Sequence, residues 1–205
     1  MASNGLLIVI SGPSGAGKGT VCRALLEKRQ EMVLSVSKTT RKPRAGEQDG
    51  VNYFFVSRDE FEQAIENGDF LEYACVYGQY YGTPRSAVEN MLAAGRDVIL
   101  EIDTQGAIKV MEAFASGVFI FLLPPSGAEL RTRIINRGTE SGEVLERRLA
   151  AAAEEVGQAP RYDYVVVNDR IEDARDRVIA IIRAERLRAA RNSDLIQAIA
   201  EEVKS

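Results

Sequence analysis

The segment SGPSGAGKGT at residues 11–20 constrains this chain more than any other part of the sequence. It follows the apolar run at residues 6–10 and precedes a helical pattern that begins near Lys18, so it is predicted to join a buried strand to a helix. Glycines allow backbone N–H groups to point inward at an anion, and a helix N-terminus attracts negative charge. An ordinary strand–turn–helix with incidental glycines fits less well, so we predict a nucleotide phosphate-binding loop.

The loop departs from the generic pattern G-x-x-x-x-G-K-[ST] at one position. Gly12, Gly17 and Lys18 match, but Gly19 stands where a hydroxyl is usual, and Thr20 follows one residue later. Thr20 is therefore our candidate for a magnesium ligand from the loop.

Composition excludes several classes of function. The chain has 205 residues, of which 45% are hydrophobic and 27% charged, as is usual for one globular domain, here with room for inserted subdomains. Its net charge of -4 argues against a general nucleic-acid binder. The absence of histidine excludes Ser-His-Asp triads and histidine metal sites.

Targeting signals and cysteine usage point to the cytoplasm. No apolar run approaches the ~20 residues that span a bilayer, and residues 1–5 do not resemble a secretion signal. Two cysteines are too few for a disulfide framework or a thiolate zinc site. We therefore expect no membrane association, no nucleic-acid partner and two reduced thiols.

Continuous apolar runs at residues 97–103, 118–123 and 164–167 predict strands buried on both faces of a parallel sheet. Residues 33–36 predict a short second strand. Residues 37–83 are polar, aromatic and rich in turns, and enclose a helix with Ser57 and Glu60 at capping-box spacing and Gly68 beyond its end. A second polar insert at residues 126–159 predicts two helices separated by residues 137–139.

The predicted fold class is therefore α/β: a parallel-sheet phosphate-loop core flanked by helices, with an inserted small α+β nucleotide-binding subdomain and a helical lid. Residues 1–36, 84–125 and 160–205 would form the core, residues 37–83 the nucleotide-binding insert and residues 126–159 the lid.

A second candidate phosphate site lies at Arg41 and Arg44, on either side of Pro43. Arginine suits the several acceptor oxygens of a phosphate, and the hydroxyls of Tyr53 and Tyr81 can donate to the remaining oxygens. On composition alone a solvated basic loop would be favoured, but the position shortly after a phosphate loop favours a site. Two separate phosphate-binding elements imply two phosphorylated substrates.

Several motifs occur in the order seen in guanylate kinases. They are SVSKTTRKPRAGE, NYFF, DFLEYACVYGQYYGT, EIDTQGA, RGTES and VVVND. The chain resembles that family from Leu6 to about Arg186. The resemblance implies transfer of the ATP γ-phosphoryl group to GMP, giving ADP and GDP, in purine nucleotide metabolism, with Mg²⁺ accompanying ATP.

The resemblance also implies roles for individual residues. The ATP phosphates would lie on the loop residues Gly12, Pro13, Ser14, Gly15, Ala16, Gly17, Lys18, Gly19 and Thr20. The lid would supply Arg133, Arg137 and Arg148, and the ATP base would contact Asn168. GMP would be held by Ser37, Arg41, Arg44, Tyr53, Glu72, Tyr81, Thr83, Glu101 and Asp103. The catalytic charges would be those of Lys18, Arg41, Arg137 and Arg148.

Within the GMP set, Glu72, Ser37 and Thr83 would read guanine, and Glu101 and Asp103 would position magnesium or GMP. Many members of the family have Ser after the loop lysine and Asp-Ile-Asp at positions 101–103, where this chain has Gly19 and Glu101.

Two rival functions remain open from sequence. The Gly-Lys-Gly-Thr sequence also suits a kinase of another nucleoside monophosphate, although Glu72, Thr83 and the arginine segment speak against it. A guanylate-kinase-like protein scaffold is the other rival, and the retained phosphate loop disfavours it.

The arginines at positions 183, 186, 188 and 191 are expected on a solvated helical face, with contact to a neighbouring subunit or a polyanion as alternatives. We also expect that the C-terminal helices could form the contact of a homo-oligomer.

Overall fold

The computed structural model describes residues 5–76, 78–137 and 142–204, with Arg137 described in its backbone only. The strands in chain order are β1 (Leu7–Ser11), β2 (Met32–Leu34), β3 (Lys38–Thr39), β4 (Phe54–Phe55), β5 (Phe70–Val76), β6 (Gln79–Pro84), β7 (Asp97–Glu101), β8 (Val118–Leu123) and β9 (Tyr164–Val167). The α-helices are α1 (Lys18–Lys28), α2 (Arg58–Glu66), α3 (Arg85–Ala93), α4 (Thr104–Ala113), α5 (Gly127–Arg137), α6 (Glu143–Gly157), α7 (Ile171–Arg186) and α8 (Ser193–Glu202). Short 3-10 helices occur at Ala159–Arg161 and Ala189–Arg191.

The core is a parallel sheet in the order β2-β7-β1-β8-β9. Alternate residues of the central strand β1 lie in different hydrophobic clusters. Ile8 and Ile10 pack in the cluster that contains residues of α1 and α7, whereas Leu7 and Val9 pack with residues of α3 and α4. The inner strands β1, β7 and β8 are buried on both faces, which confirms the α/β fold class and explains why they read as unbroken apolar runs. The edge strand β9 was wrongly predicted to be buried on both faces, since its Val165 and Val167 are exposed.

A second, four-stranded sheet has the order β4-β3-β6-β5. Strand β6 is antiparallel to both β3 and β5, and α2 packs on this sheet through Phe61 and Ala64 against Phe70. The capping box predicted for α2 is confirmed, since Ser57 accepts from the Glu60 amide and Glu60 accepts from the Ser57 amide.

Helices α5 and α6 form a small unit with its own apolar contacts, which join Leu130 and Ile134 of α5 to Ala152 of α6. A Cβ atom placed at Gly15 would lie 3.4 Å from the side chains of both Leu130 and Ile134. The helix pair therefore lies directly beside the glycine-rich loop.

The expectation of a solvated face was wrong for Arg186 and Arg191, which are partly buried, whereas Arg183 and Arg188 are exposed as expected. Arg186 pairs with buried Asp97 at 2.6 Å, and Arg191 pairs with buried Glu185 at 3.1 Å. The exposed Arg188 also lies 3.4 Å from Glu185. A carboxylate that is removed from water requires a cationic or hydrogen-bonding partner. These arginines supply it, and so attach the end of α7 to the core.

Helix α8 instead exposes apolar side chains to solvent, namely Leu195, Ile196, Ile199 and the following Val203. None of the helices in the described part of the chain is long and apolar enough to cross a membrane.

Candidate active site

The glycine-rich loop joins β1 to α1, as predicted, and its backbone requires glycine at two positions in particular. Gly12 has φ 145° and Gly17 has φ 88°, a region that side chains rarely adopt. A Cβ atom at Gly12 would lie 2.3 Å from the Leu122 carbonyl oxygen, and one at Gly17 would lie 2.4 Å from Asn168 Nδ2. The loop is therefore closely packed against the ends of neighbouring strands.

Lys18 is the first residue of α1, and its side chain folds back over the loop. Lys18 Nζ donates to the carbonyl oxygens of Gly12 at 2.7 Å and Pro13 at 3.3 Å. Its charge thus lies above the loop, next to the N-terminal end of the helix, where both favour an anion.

Asn168 stabilises the glycine-rich loop through a buried side-chain hydrogen bond. Its side chain is 4% exposed, and Nδ2 donates to the Ala16 carbonyl oxygen at 2.8 Å, while its backbone N–H donates to the Leu123 carbonyl oxygen. The structure thus gives this residue a role in supporting the loop. The contact with the ATP base stays a prediction.

A polar pocket of about 270 Å³ opens beside the loop. It is lined by Gly15, Gly17, Lys18, Gly19, Thr20, Arg23 and Glu101. Strand β7 ends at Glu101, whose register partner on β1 is Ile10, so the carboxylate emerges at the same edge of the sheet as the loop. This edge is where parallel α/β sheets bind ligands.

Glu72 lies in a buried position between the second sheet and α4. It is 5% exposed, and Oε1 accepts from the Thr83 hydroxyl at 2.7 Å across the β5–β6 pair. A Cβ atom at Gly106 would lie 2.6 Å from Glu72 Oε2, so this glycine allows α4 to approach the carboxylate. Burial raises the pKa of Glu72 to about 7, against the opposing effect of the Thr83 hydrogen bond.

Asp103 differs from its sequence-based prediction, because it lies beyond the end of β7 rather than in a strand. Its carboxylate caps α4 by accepting from the Gly106 amide at 2.8 Å. Asp103 is nevertheless close enough to Glu72 to contribute to its raised pKa. Ser37 is partly buried, and its carbonyl oxygen accepts from the Phe54 amide at 2.9 Å.

The predicted phosphate-binding arginine segment forms an ion-paired aromatic cluster. Arg41 makes two hydrogen bonds to Glu47, at 2.9 and 3.0 Å, and its guanidinium lies 5.4 Å from the ring centroid of Tyr53. The rings of Tyr53 and Tyr81 are 5.9 Å apart in an edge-on arrangement. Three of the predicted GMP residues are therefore brought together, whereas Arg44 is exposed and contacts Glu47 through its backbone. The Arg44 N–H donates to the Glu47 carboxylate, and the Arg44 carbonyl oxygen accepts from the Glu47 amide.

The predicted lid arginines lie on α5 and α6. Arg133 pairs with Glu129 at 2.8 Å on α5, and its Cβ would lie 3.6 Å from a Cβ atom at Gly15. Arg148 is partly buried on α6. Arg137 is the last residue of α5, but its side chain, like the residues 138–141 that carry most of the RGTES motif, lies outside the described residues.

Glu155 is a site residue that the sequence did not reveal. It lies on α6, and its Oε2 accepts from the Ser14 amide at 3.0 Å. Burial raises the pKa of Glu155, while the Ser14 amide and the charge of Lys18 act in the opposite direction. A glutamate on an amphipathic helix carries no local signal of such a contact, because its partner lies 141 residues earlier in the chain.

The site thus combines a cationic anion-binding loop with a separate buried carboxylate that offers only hydrogen-bond acceptors when ionised. The arginine–tyrosine cluster lies close by in the same part of the fold, since Tyr81 and Glu72 are on the paired strands β6 and β5. Such an arrangement suits two ligands, one bound through phosphates and the other through a base with adjacent donors.

Comparisons with known proteins agree with this arrangement. A family model described as guanylate kinase matches residues 4–185. A guanylate kinase of Caldanaerobacter subterraneus subsp. tengcongensis is 58% identical over 198 residues, covering 97% of this chain and 96% of that protein. The guanylate kinase of Halalkalibacterium halodurans is 56% identical over 187 residues, covering 91% and 92% respectively.

A solved structure of guanylate kinase from Anaplasma phagocytophilum superposes with a TM-score of 0.78 at 41% identity. The match covers 92% of this chain and 90% of that one.

Proposed function

This chain belongs to the guanylate kinase family and so transfers a phosphoryl group from ATP to GMP. We propose that it does so through the site residues described above, with Mg²⁺ bound to ATP. The products are ADP and GDP. The phosphate loop, Lys18 and the lid arginines would hold ATP, and the second sheet would hold GMP.

The observation that carries the assignment of the GMP site is the buried Glu72–Thr83 pair. Guanine presents two adjacent donors, N1–H and the 2-amino group, and an ionised carboxylate offers two acceptors. Thr83 and Ser37 supply hydroxyl groups for O6 and for orienting the carboxylate. Adenine has an unprotonated N1 at the same place, so its lone pair would face the negative charge. The pair therefore favours GMP over AMP.

The donor set beside the loop fits magnesium. Thr20 and Glu101 bring hydroxyl and carboxylate oxygens to the pocket, the ligand type that Mg²⁺ prefers. Among the described residues no group of three or more Asp, Glu or Cys side chains could hold a metal alone, as is usual where substrate phosphates complete the coordination. When bound, the ion would neutralise phosphate charge and help to align ATP.

The reaction needs no general base from the protein. The phosphate of a nucleoside monophosphate has a second pKa of about 6, so at neutral pH its oxygen is already an anionic nucleophile. What the chain must supply is positioning and positive charge for the spreading charge of the γ-phosphoryl group. Lys18, the loop amides, Arg41, Arg137 and Arg148 are the groups proposed for this role.

We also propose the division of the chain into core, GMP-binding insert and lid at the predicted boundaries. The separate hydrophobic clusters of the second sheet and of the α5–α6 pair support it. Closure of both inserts over the core would exclude water from the transferring group. We place the reaction in the cytoplasm, consistent with the two free cysteines. A homo-oligomer through the C-terminal helices stays a prediction.

A coupled assay of ADP release, run with each nucleoside monophosphate in turn, tests this function. GMP should be preferred over AMP, CMP and UMP by at least about 10²-fold in kcat/KM, because a site built to pair with guanine leaves buried groups unsatisfied with other bases. Equal turnover with another monophosphate would favour a different kinase. Absence of ADP release with all four would favour the scaffold alternative.

The raised pKa of Glu72 predicts a pH dependence of GMP use. Because guanine pairs with the ionised carboxylate, protonation below about pH 7 removes the productive form of the free enzyme. We expect kcat/KM for GMP to fall about tenfold between pH 8 and pH 6 through this ionisation, with about a further twofold from GMP itself. Initial rates measured at subsaturating GMP and constant ionic strength provide the profile.

The variant Glu72→Gln is the control for this profile, since it has no carboxyl group to titrate at that position. Its smaller kcat/KM should change only about twofold over the same range, following GMP alone. A parental profile that falls only about twofold from pH 8 to pH 6, like that of the variant, would show that Glu72 is ionised throughout, contrary to this prediction.

A further inference from the structure

Gly19 and Glu101, the two positions at which this chain departs from the usual motifs of the family, lie next to each other. A Cβ atom placed at Gly19 would be 3.2 Å from Glu101 Oε1 and 3.4 Å from Oε2. The first distance is shorter than ordinary van der Waals contact, and a hydroxyl group beyond that Cβ would require more space. The carboxylate of Glu101 thus lies beside the volume that a side chain at position 19 would need.

The carboxylate also lies at the edge of the proposed ATP site. Glu101 lines the same pocket as Lys18, Gly19 and Thr20. The negative charge of Glu101 also acts on neighbouring groups. Burial is the main cause of the raised pKa values of the Cys22 thiol and of Tyr53, and the charge of Glu101 is the second cause of both. A polyphosphate on the loop would therefore meet a negative field from one side of its pocket.

We propose that Gly19 and Glu101 act as one unit that makes the phosphate loop select cation-complexed ATP over metal-free ATP. Because Gly19 has no side chain, the Glu101 carboxylate can lie beside the loop backbone and place a negative charge there. Bare ATP is repelled by that charge, whereas a divalent cation bound to the phosphates is attracted to it. Glu101 is thus a specificity-determining residue, and Gly19 is the positioning residue that accommodates it.

The inference rests on the proposed function only in taking ATP as the ligand of the loop. The first test is equilibrium binding without GMP, so that turnover plays no part. Isothermal titration would give the Kd of ATP in excess Mg²⁺ and in EDTA at equal ionic strength, for the parent and for Glu101→Gln. The ratio of the two constants measures selection for the cation complex.

We expect Glu101→Gln, which preserves the size of the side chain, to reduce this ratio at least about fivefold, with metal-free ATP binding more tightly than to the parent. Glu27→Gln is the matched control, because it removes the same charge from an exposed position on α1 and should leave the ratio unchanged. A ratio in Glu101→Gln within twofold of the parent would overturn the proposal.

A double-mutant cycle tests whether the two residues are matched in size. Gly19→Ser should crowd the carboxylate and raise the Kd of MgATP about tenfold, and Glu101→Asp should withdraw it and raise the Kd about threefold. The double variant Gly19→Ser/Glu101→Asp should return to within about threefold of the parent. Gly157→Ser controls for replacing a helical glycine, since a Cβ atom there would contact nothing within 4 Å.

Losses that multiply in the double variant would show that positions 19 and 101 act independently and would overturn the matched pair. Melting curves for all variants separate this outcome from misfolding. If the folded parent binds neither form of ATP, the proposed function itself fails. If it binds ATP but the ratio and the cycle show no effect, only the present inference fails.

Discussion

Replacing Lys18 with alanine should lower kcat by about 10³-fold or more while the protein remains folded. The ammonium lies over the phosphate loop, bonded to the carbonyl oxygens of Gly12 and Pro13, so ATP would find it already positioned. Its charge would oppose the negative charge that spreads over the transferring group. ADP release at saturating GMP and ATP, compared with the circular dichroism melting curve, measures both parts of this expectation.

Lys28→Ala is the matched control, because Lys28 is an exposed lysine in the last turn of the same helix. It should retain parental kcat. If folded Lys18→Ala keeps a kcat within about threefold of the parent, Lys18 does not contribute a catalytic charge, and the phosphate clamp must lie elsewhere.

Much of the core fold could be predicted from local sequence. Residues 118–123 and 164–167 are strands at their predicted bounds. Burial on both faces explains the apolar run of β8, whereas the edge strand β9 exposes Val165 and Val167. The run at residues 97–103 was predicted too long, since β7 ends at Glu101 and Asp103 caps α4. Likewise, the strand predicted at residues 33–36 is Met32–Leu34. Strand ends depend on where polar side chains find partners, which periodicity does not show.

The second sheet was predictable in character but not in pairing. Strands β3 and β4 have two residues each, too few for a periodic signal. Their positions depend on distant contacts, such as the bond from the Thr39 hydroxyl to the Tyr80 carbonyl oxygen.

The candidate site shows the same division. The loop was predictable because its glycines, lysine and flanking apolar run are contiguous. The Arg41–Glu47 pair, the Glu155–Ser14 contact and the close approach of Gly106 to Glu72 were not. Each depends on how elements meet in space. The buried ion pairs of the C-terminal arginines were missed for the same reason, since Asp97 lies 89 residues from Arg186.

Glu72→Gln should have the largest effect on substrate choice. The Thr83 hydroxyl donates to Glu72 Oε1 at 2.7 Å, and it would keep the Gln carbonyl oxygen in that place. The amide NH₂ would then replace Oε2 and oppose the donors of guanine. Losing a buried charge-assisted pairing should cost about 2–4 kcal/mol in kcat/KM, so GMP use should fall roughly 30- to 1,000-fold.

AMP should lose much less from this substitution, because its N1 acceptor gains a donor, so the GMP/AMP preference should fall sharply. The Kd of ATP should stay near the parental value, since the phosphate loop is a separate site. Glu66→Gln, at an exposed position on α2, which packs on the same sheet as Glu72, should leave both kcat/KM values unchanged. A Glu72→Gln variant whose GMP/AMP ratio remains within about threefold of the parent would mean that another residue reads the base.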